Sequence, residues 1–196
     1  MSGARLFRIG LWVVVALFAG AAAALWLLRP AENAASVSRF GSPFQLVDQN
    51  GATVTDASLR GKPSAMFFGF THCPDVCPTT LYELNAYQKA VRDKGGDFRI
   101  VLVTVDPERD TPEVLKSYIA PVAPDATALT GDPAAVASML KGWGIYAAKV
   151  GEGADYAMDH TATTLLLDAD GALAGTIAYG ENPETAQAKL NKLTGV

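Results

Sequence analysis

The sequence predicts an α/β domain, a central mixed sheet with helices on both faces, standing behind one N-terminal apolar helix. Three observations carry this. Two continuous apolar runs, "SAMFFGF" and "FRIVLVTV", read as strands buried on both faces, and one helical pattern joins them. Capped helix starts alternate with strand-like segments along the chain. Finally, "IGLWVVVALFAGAAAALWLL", Ile9 to Leu28, carries no charge, and at ~1.5 Å per residue it is long enough to span the ~30 Å of a bilayer core.

Arg5 and Arg8 precede that run and Arg29 alone follows it closely, so the N-terminus is expected to face the cytoplasm. The expected division is residues 1–8 cytoplasmic, 9–28 a transmembrane anchor, 29–40 a linker and 41–196 the exported domain. A cleaved signal peptide is the competing reading, but the run continues through Leu25, Trp26, Leu27 and Leu28, longer than a usual signal core. Either way the domain lies outside the cytoplasm, for a bacterial inner-membrane protein in the periplasm. With 16 Lys and Arg against 20 Asp and Glu, the charge balance gives no reason to expect nucleic-acid binding.

"FQLVDQNGATVT" reads as a hairpin around Asn50-Gly51. A helix is expected from Pro78 to about Asp93, with Leu81, Leu84, Tyr87 and Val91 at helical spacing. "DTPEVLKSYI" reads as a second helix with Asp110 as N-cap, Pro112 in the first turn and Glu113 placed for a capping box. "DPAAVASMLKGW" repeats the pattern from Asp132-Pro133. "TATTLLLDADGALAGTIAY" is a hairpin turning at Asp170-Gly171, and "NPETAQAKLNKLTG" is a closing helix. Met66 and Met139 belong to the core, while Met158 reads as packing or shielding beside the site.

The two cysteines, Cys73 and Cys77, lie in "FFGFTHCPDVCPTT" between the first buried strand and its helix, which is the thioredoxin-like arrangement. Since proline is tolerated in a first helical turn, Cys77 is expected near the N-cap with Pro78 as the first helical residue. There the helix end favours a thiolate. A stapling bridge over so short a loop removes little chain entropy, which leaves redox chemistry and metal binding. Two thiolates suit Cu(I), with Zn(II) the common competitor. His160 is expected at the mouth of a strand beside "SAMFFGF", facing the cysteine loop. Cys73, Cys77 and His160 could then form a site of two sulfurs and one nitrogen. His72 adjoins Cys73 and is expected to point away.

"FFGFTHCPDVCPTTL", "VTVDPERDTPEVLKSY" and "DHTATTLLLDADG" together resemble the Sco/SenC family of copper-binding assembly proteins for cytochrome c oxidase. The resemblance runs from about Phe44 to the C-terminus and includes the single N-terminal anchor. It implies a thioredoxin-like fold and copper, as Cu(I) or Cu(II), held by Cys73, Cys77 and His160. It also implies delivery to the dinuclear copper centre of oxidase subunit II, or reduction of that subunit's cysteines. A periplasmic thiol reductant and a copper donor would be further partners. Asp75 is read as shaping the loop and Asp159 as supporting the histidine. Thr161 stands where thioredoxins carry a cis-proline, which suits the copper-binding branch. A disulfide oxidoreductase using the Cys73–Cys77 pair without stable metal is the alternative function. A thiol peroxidase fits less well, because Phe70 and Pro74 occupy the positions where that chemistry needs a hydroxyl.

Overall fold

The computed structural model describes residues 3–27, 40–153 and 155–196. The chain divides into two compact units, Met1–Ser36 and Val37–Val196. In the first, helix α1 runs Gly3–Leu27. Phe7, Ile9, Leu11, Trp12, Val13, Val14, Val15, Leu17 and Phe18 are all exposed, an apolar surface all round the helix rather than a stripe. The apolar stretch with described side chains, Ile9 to Gly20, covers only about 18 Å. Among the described residues, no helix is long and apolar enough to cross a membrane. Leu28, the last residue of the expected span, and nearly all of the expected linker lie outside the described residues.

The second unit is built on a seven-stranded sheet of order β2-β1-β5-β4-β3-β8-β9. Strands β1 (Gln45–Asp48) and β2 (Thr53–Thr55) form the expected hairpin, with Gly51 at φ 80° in the turn. Strands β3 (Ser64–Gly69) and β4 (Arg99–Thr104) pair in parallel across helix α2 (Val76–Arg92). Every residue of β3 is buried, so its apolar run has no solvent face to alternate against. Helix α3 (Pro112–Ile119) leads to β5 (Thr127–Thr130), which pairs with β4 in parallel and with β1 antiparallel. Helix α4 (Pro133–Gly142) starts at the expected cap, with Asp132 accepting from the Ala134 and Ala135 amides. The β8 (Thr164–Leu167) and β9 (Leu173–Ile177) hairpin sets β8 antiparallel beside β3. Helix α5 (Pro183–Thr194), capped by Asn182, closes the chain.

Two expectations about this frame need correction. Helix α2 begins at Val76, two residues earlier than expected, so Cys77 and Pro78 sit inside its first turn. Proline at the third helical position costs nothing, because the first four N–H groups have no intrahelical acceptor. The N-cap of α3 is Thr111, whose Oγ1 accepts from the Val114 amide, and not Asp110. Proline favours the first helical position, so Pro112 assigns the cap to its immediate predecessor.

Outside the main sheet, β6 (Ala147–Val150) and β7 (Ala157–His160) form a two-stranded antiparallel ribbon that the sequence reading missed. His160 is its last residue, opposite Ala147, rather than the first residue of the strand beside β3.

Candidate metal centre

The buried half of the site grows from the end of β3. Cys77 lies in the first turn of α2 and is 0% exposed, packed into the core. A Cβ on Gly69 would stand 2.9 Å from its Sγ and 2.7 Å from the Phe67 ring. Only glycine lets the sulfur lie this close to the strand. Burial pushes the Cys77 thiol well above its ordinary value; a backbone hydrogen bond from Phe70 pulls the other way, and the hydrogen-bonded Cys73 thiol adds to the rise. The expected thiolate preference of the helix start is therefore outweighed by desolvation. Cys73 is half-buried on the loop, its amide donating to the Phe70 carbonyl at 3.3 Å. Both cysteines are free thiols.

The loop is held by a carboxylate. Asp110 is 0% exposed and accepts from Thr71 Oγ1 at 2.6 Å, from Thr104 Oγ1 at 2.6 Å and from the Thr71 amide at 3.2 Å. Burial raises its carboxyl above the usual range, opposed by these donors. Asp110 thus ties the segment entering the cysteine loop to the end of β4. The sequence reading gave it a capping role and missed this one, although Pro112 was the available signal.

The other half comes from the ribbon. His160 Nε2 lies 3.7 Å from Cys77 Sγ, and Nδ1 lies 3.0 Å from the Thr161 carbonyl. A proton on Nδ1 donated to that carbonyl leaves Nε2 as the lone pair facing the sulfur. The Phe67 and Phe70 rings meet the imidazole edge-on at 6.3 and 5.8 Å between centroids. The structure therefore brings His160 and Cys77 together, with Cys73 half-buried on the adjoining loop. Among the described residues, no three Cys, His, Asp or Glu side chains stand close enough to hold an ion as they are. The spacing between His160 and Cys77 still fits shared coordination. Bonds of about 2.3 Å to sulfur and about 2.0 Å to nitrogen, at a trigonal angle, leave the donors about 3.7 Å apart.

His72 is exposed, with Nδ1 3.1 Å from Thr71 Oγ1. Asp75 accepts from Thr79 Oγ1 at 3.4 Å and caps no amide of α2. Asp159 is exposed on the ribbon. Met66 and Met139 are buried in the core, and Met158 packs against it half-buried. Among the described residues no peptide bond is cis, Thr161 included.

The SCO1/SenC family model matches residues 32–195. A SCO2-like protein of Rickettsia prowazekii is 39% identical over 136 residues, covering 68% of this chain and 66% of that protein. Protein SenC of Rhodobacter capsulatus is 35% identical over 132 residues, 67% of this chain and 60% of that protein. The chain spans roughly two thirds of the length of these relatives. The structure of Bradyrhizobium japonicum ScoI with copper bound superposes with TM-score 0.72 at 44% identity, covering 79% of this chain and 99% of that one. Yeast Sco1 with copper bound gives TM-score 0.72 at 32% identity, over 78% and 87% of the two chains. The fold is the mixed α/β, thioredoxin-like arrangement of those structures. With the family model matched over most of its length, the chain belongs to the SCO1/SenC family.

Proposed function

We propose that this protein is a membrane-tethered copper carrier for the dinuclear copper centre of cytochrome c oxidase, binding its cargo through Cys73, Cys77 and His160. The observation that carries the reading is the His160 imidazole, 3.7 Å from a buried sulfur and with its Nδ1 proton engaged elsewhere. A disulfide reductase has no need of that ring. Two thiols are soft donors suited to Cu(I), and an imidazole adds tolerance of Cu(II). Structures of relatives with copper bound support copper as the cargo here.

Each donor has a distinct part. Cys77 is fixed by Gly69 and the first turn of α2, so it is the stationary ligand. Cys73 is half-exposed on the loop, where a thiol pair of oxidase subunit II can compete for the cargo. The apolar surface of α1 and the charge-free run to Leu28 support a single-pass inner-membrane anchor with the domain in the periplasm. In that oxidising compartment a thiol reductant must keep the pair reduced before a copper donor loads it.

The experiment is copper titration of the purified full chain with absorption spectroscopy. His160→Ala is expected to abolish stable Cu(II) binding while disulfide formation between Cys73 and Cys77 persists. Unchanged Cu(II) affinity in that variant would remove the histidine from the site. Two free thiols four residues apart also favour a second reading, in which the pair reduces the cysteines of subunit II. Reduction of a subunit II disulfide at equal rates with and without His160 would promote it.

A further inference from the structure

The ribbon that carries His160 is outside the main sheet, and two strands alone are marginally stable in water. It stands beside a hollow lined by Val105, Pro107, Leu140, Ala147, Tyr156 and Met158, so packing beneath it is incomplete. Something else must set where its last residue lies.

One short segment supplies that contact. Tyr156, one residue before β7, lies with its ring between two cations: the Arg109 guanidinium and the Lys149 ammonium are each 3.6 Å from the ring centroid. The Tyr156 hydroxyl donates to Asp106 Oδ1 at 2.7 Å, and Arg109 Nε donates to Asp106 Oδ2. Arg109 Nη1 also donates to the Tyr156 carbonyl at 3.0 Å. The same guanidinium lies 6.0 Å from the Phe70 ring, which in turn meets the His160 imidazole. Next in sequence, Asp110 holds Thr71 at the entry to the cysteine loop.

We propose that Arg109 is a positioning residue for the metal site, clasping the turn end of the ribbon that carries His160 to the turn that also anchors the cysteine loop, and so helping to set the imidazole-to-sulfur separation. This rests on His160 acting as a donor, as proposed above. Arginine suits the task because its planar group can stack on Tyr156 while its in-plane N–H groups donate to Asp106 and to the Tyr156 carbonyl; the lysine ammonium has no such planar face. The turn Asp106–Asp110 is then one fixture with two arms, one for each half of the site.

The test compares the full chain with Arg109→Lys and Tyr156→Phe, in metal-free and copper-loaded forms. In the metal-free protein, His160 is one of two histidines. Its imidazole proton resonance, distinguished from that of His72 by a His72→Asn variant, reports the edges of Phe67 and Phe70. Arg109→Lys should move that resonance toward its random-coil position and leave His72 unchanged. Amides of β6 and β7 should exchange about tenfold faster while those of β3 and β4 hold. Cu(II) affinity should fall about 10–100-fold, with Cu(I), held by the sulfurs, changing within about twofold. Tyr156→Phe keeps the stacked ring and should give a smaller change in the same direction.

An unmoved His160 resonance would overturn the inference, and so would amide exchange that quickens equally in ribbon and sheet. Equal losses of Cu(I) and Cu(II) would do the same. If the parent shows no His160-dependent Cu(II) binding, the carrier reading fails, and the metal-free measurements still decide whether Arg109 holds the ribbon.

Discussion

The two halves of the proposed metal site are built in opposite ways. Cys77 is wedged between a strand with no exposed residue and the first turn of a 17-residue helix, with no room for even a methyl group on the neighbouring glycine. His160 ends a four-residue strand whose residues alternate between exposed and half-buried, paired with a single partner. The sulfur is placed by the core, while the imidazole meets the Phe67 and Phe70 edges and the Thr161 carbonyl from a ribbon outside the main sheet. A site joined in this way keeps one donor constant and leaves the other adjustable by residues that never touch the ion.

Three substitutions probe that contrast, in decreasing order of effect. Asp110→Asn removes a carboxylate that accepts three hydrogen bonds in the core, and substitutes an amide that offers donors to donors. A loss of about 3 kcal/mol in unfolding free energy is expected, measured by chemical denaturation. A loss under about 0.5 kcal/mol would mean that the loop is held by something else.

Gly69→Ala tests the rigid half directly. The added methyl would overlap the Cys77 sulfur and the Phe67 ring, so about 2 kcal/mol of destabilisation is expected. The Cys77 thiol should also react faster with an alkylating reagent as it is pushed from its niche. Unaltered stability and reactivity would show that this half yields as readily as the other.

Tyr156→Phe tests the adjustable half and should cost about 1 kcal/mol near neutral pH, from the lost hydrogen bond to Asp106. A pH signature accompanies it. Burial and the Asp106 hydrogen bond push the Tyr156 phenol up to about 12 from its ordinary 10.0. The unfolded phenol ionises first, so its contribution is complete below about pH 10 and is lost as pH rises toward 12. In the phenylalanine variant that part of the alkaline decline should be absent. An identical decline would place the effect on other groups.

The same contrast explains what could be read in the sequence. Long apolar runs and Pro-marked helix starts announced β3, β4, α3, α4 and α5, because burial on both faces and a proline in the first turn leave strong local marks. Cys73, Cys77 and His160 stood out by residue type, since soft donors are rare in this chain. The ribbon did not. "AAKV" and "AMDH" are four-residue segments rich in alanine, without the β-branched alternation that signals a strand, and β5 is just as short. Asp110 was misread because a carboxylate beside a helix start usually caps it, and only Pro112 spoke for Thr111. Arg109 and Tyr156 are 47 residues apart, and no local pattern links a stacked pair across that distance.

The complete enclosure of Cys77 has a consequence for how cargo passes through the protein. A sulfur with no solvent-facing surface cannot be the first point of attack, whatever the visiting molecule. If Cys73, Cys77 and His160 hold the cargo as proposed, arrival and departure both begin at Cys73 or at the ring opposite, with Cys77 the grip released last. For the proposed carrier, exchange at the site is therefore one-sided, through the half-buried Cys73 and His160.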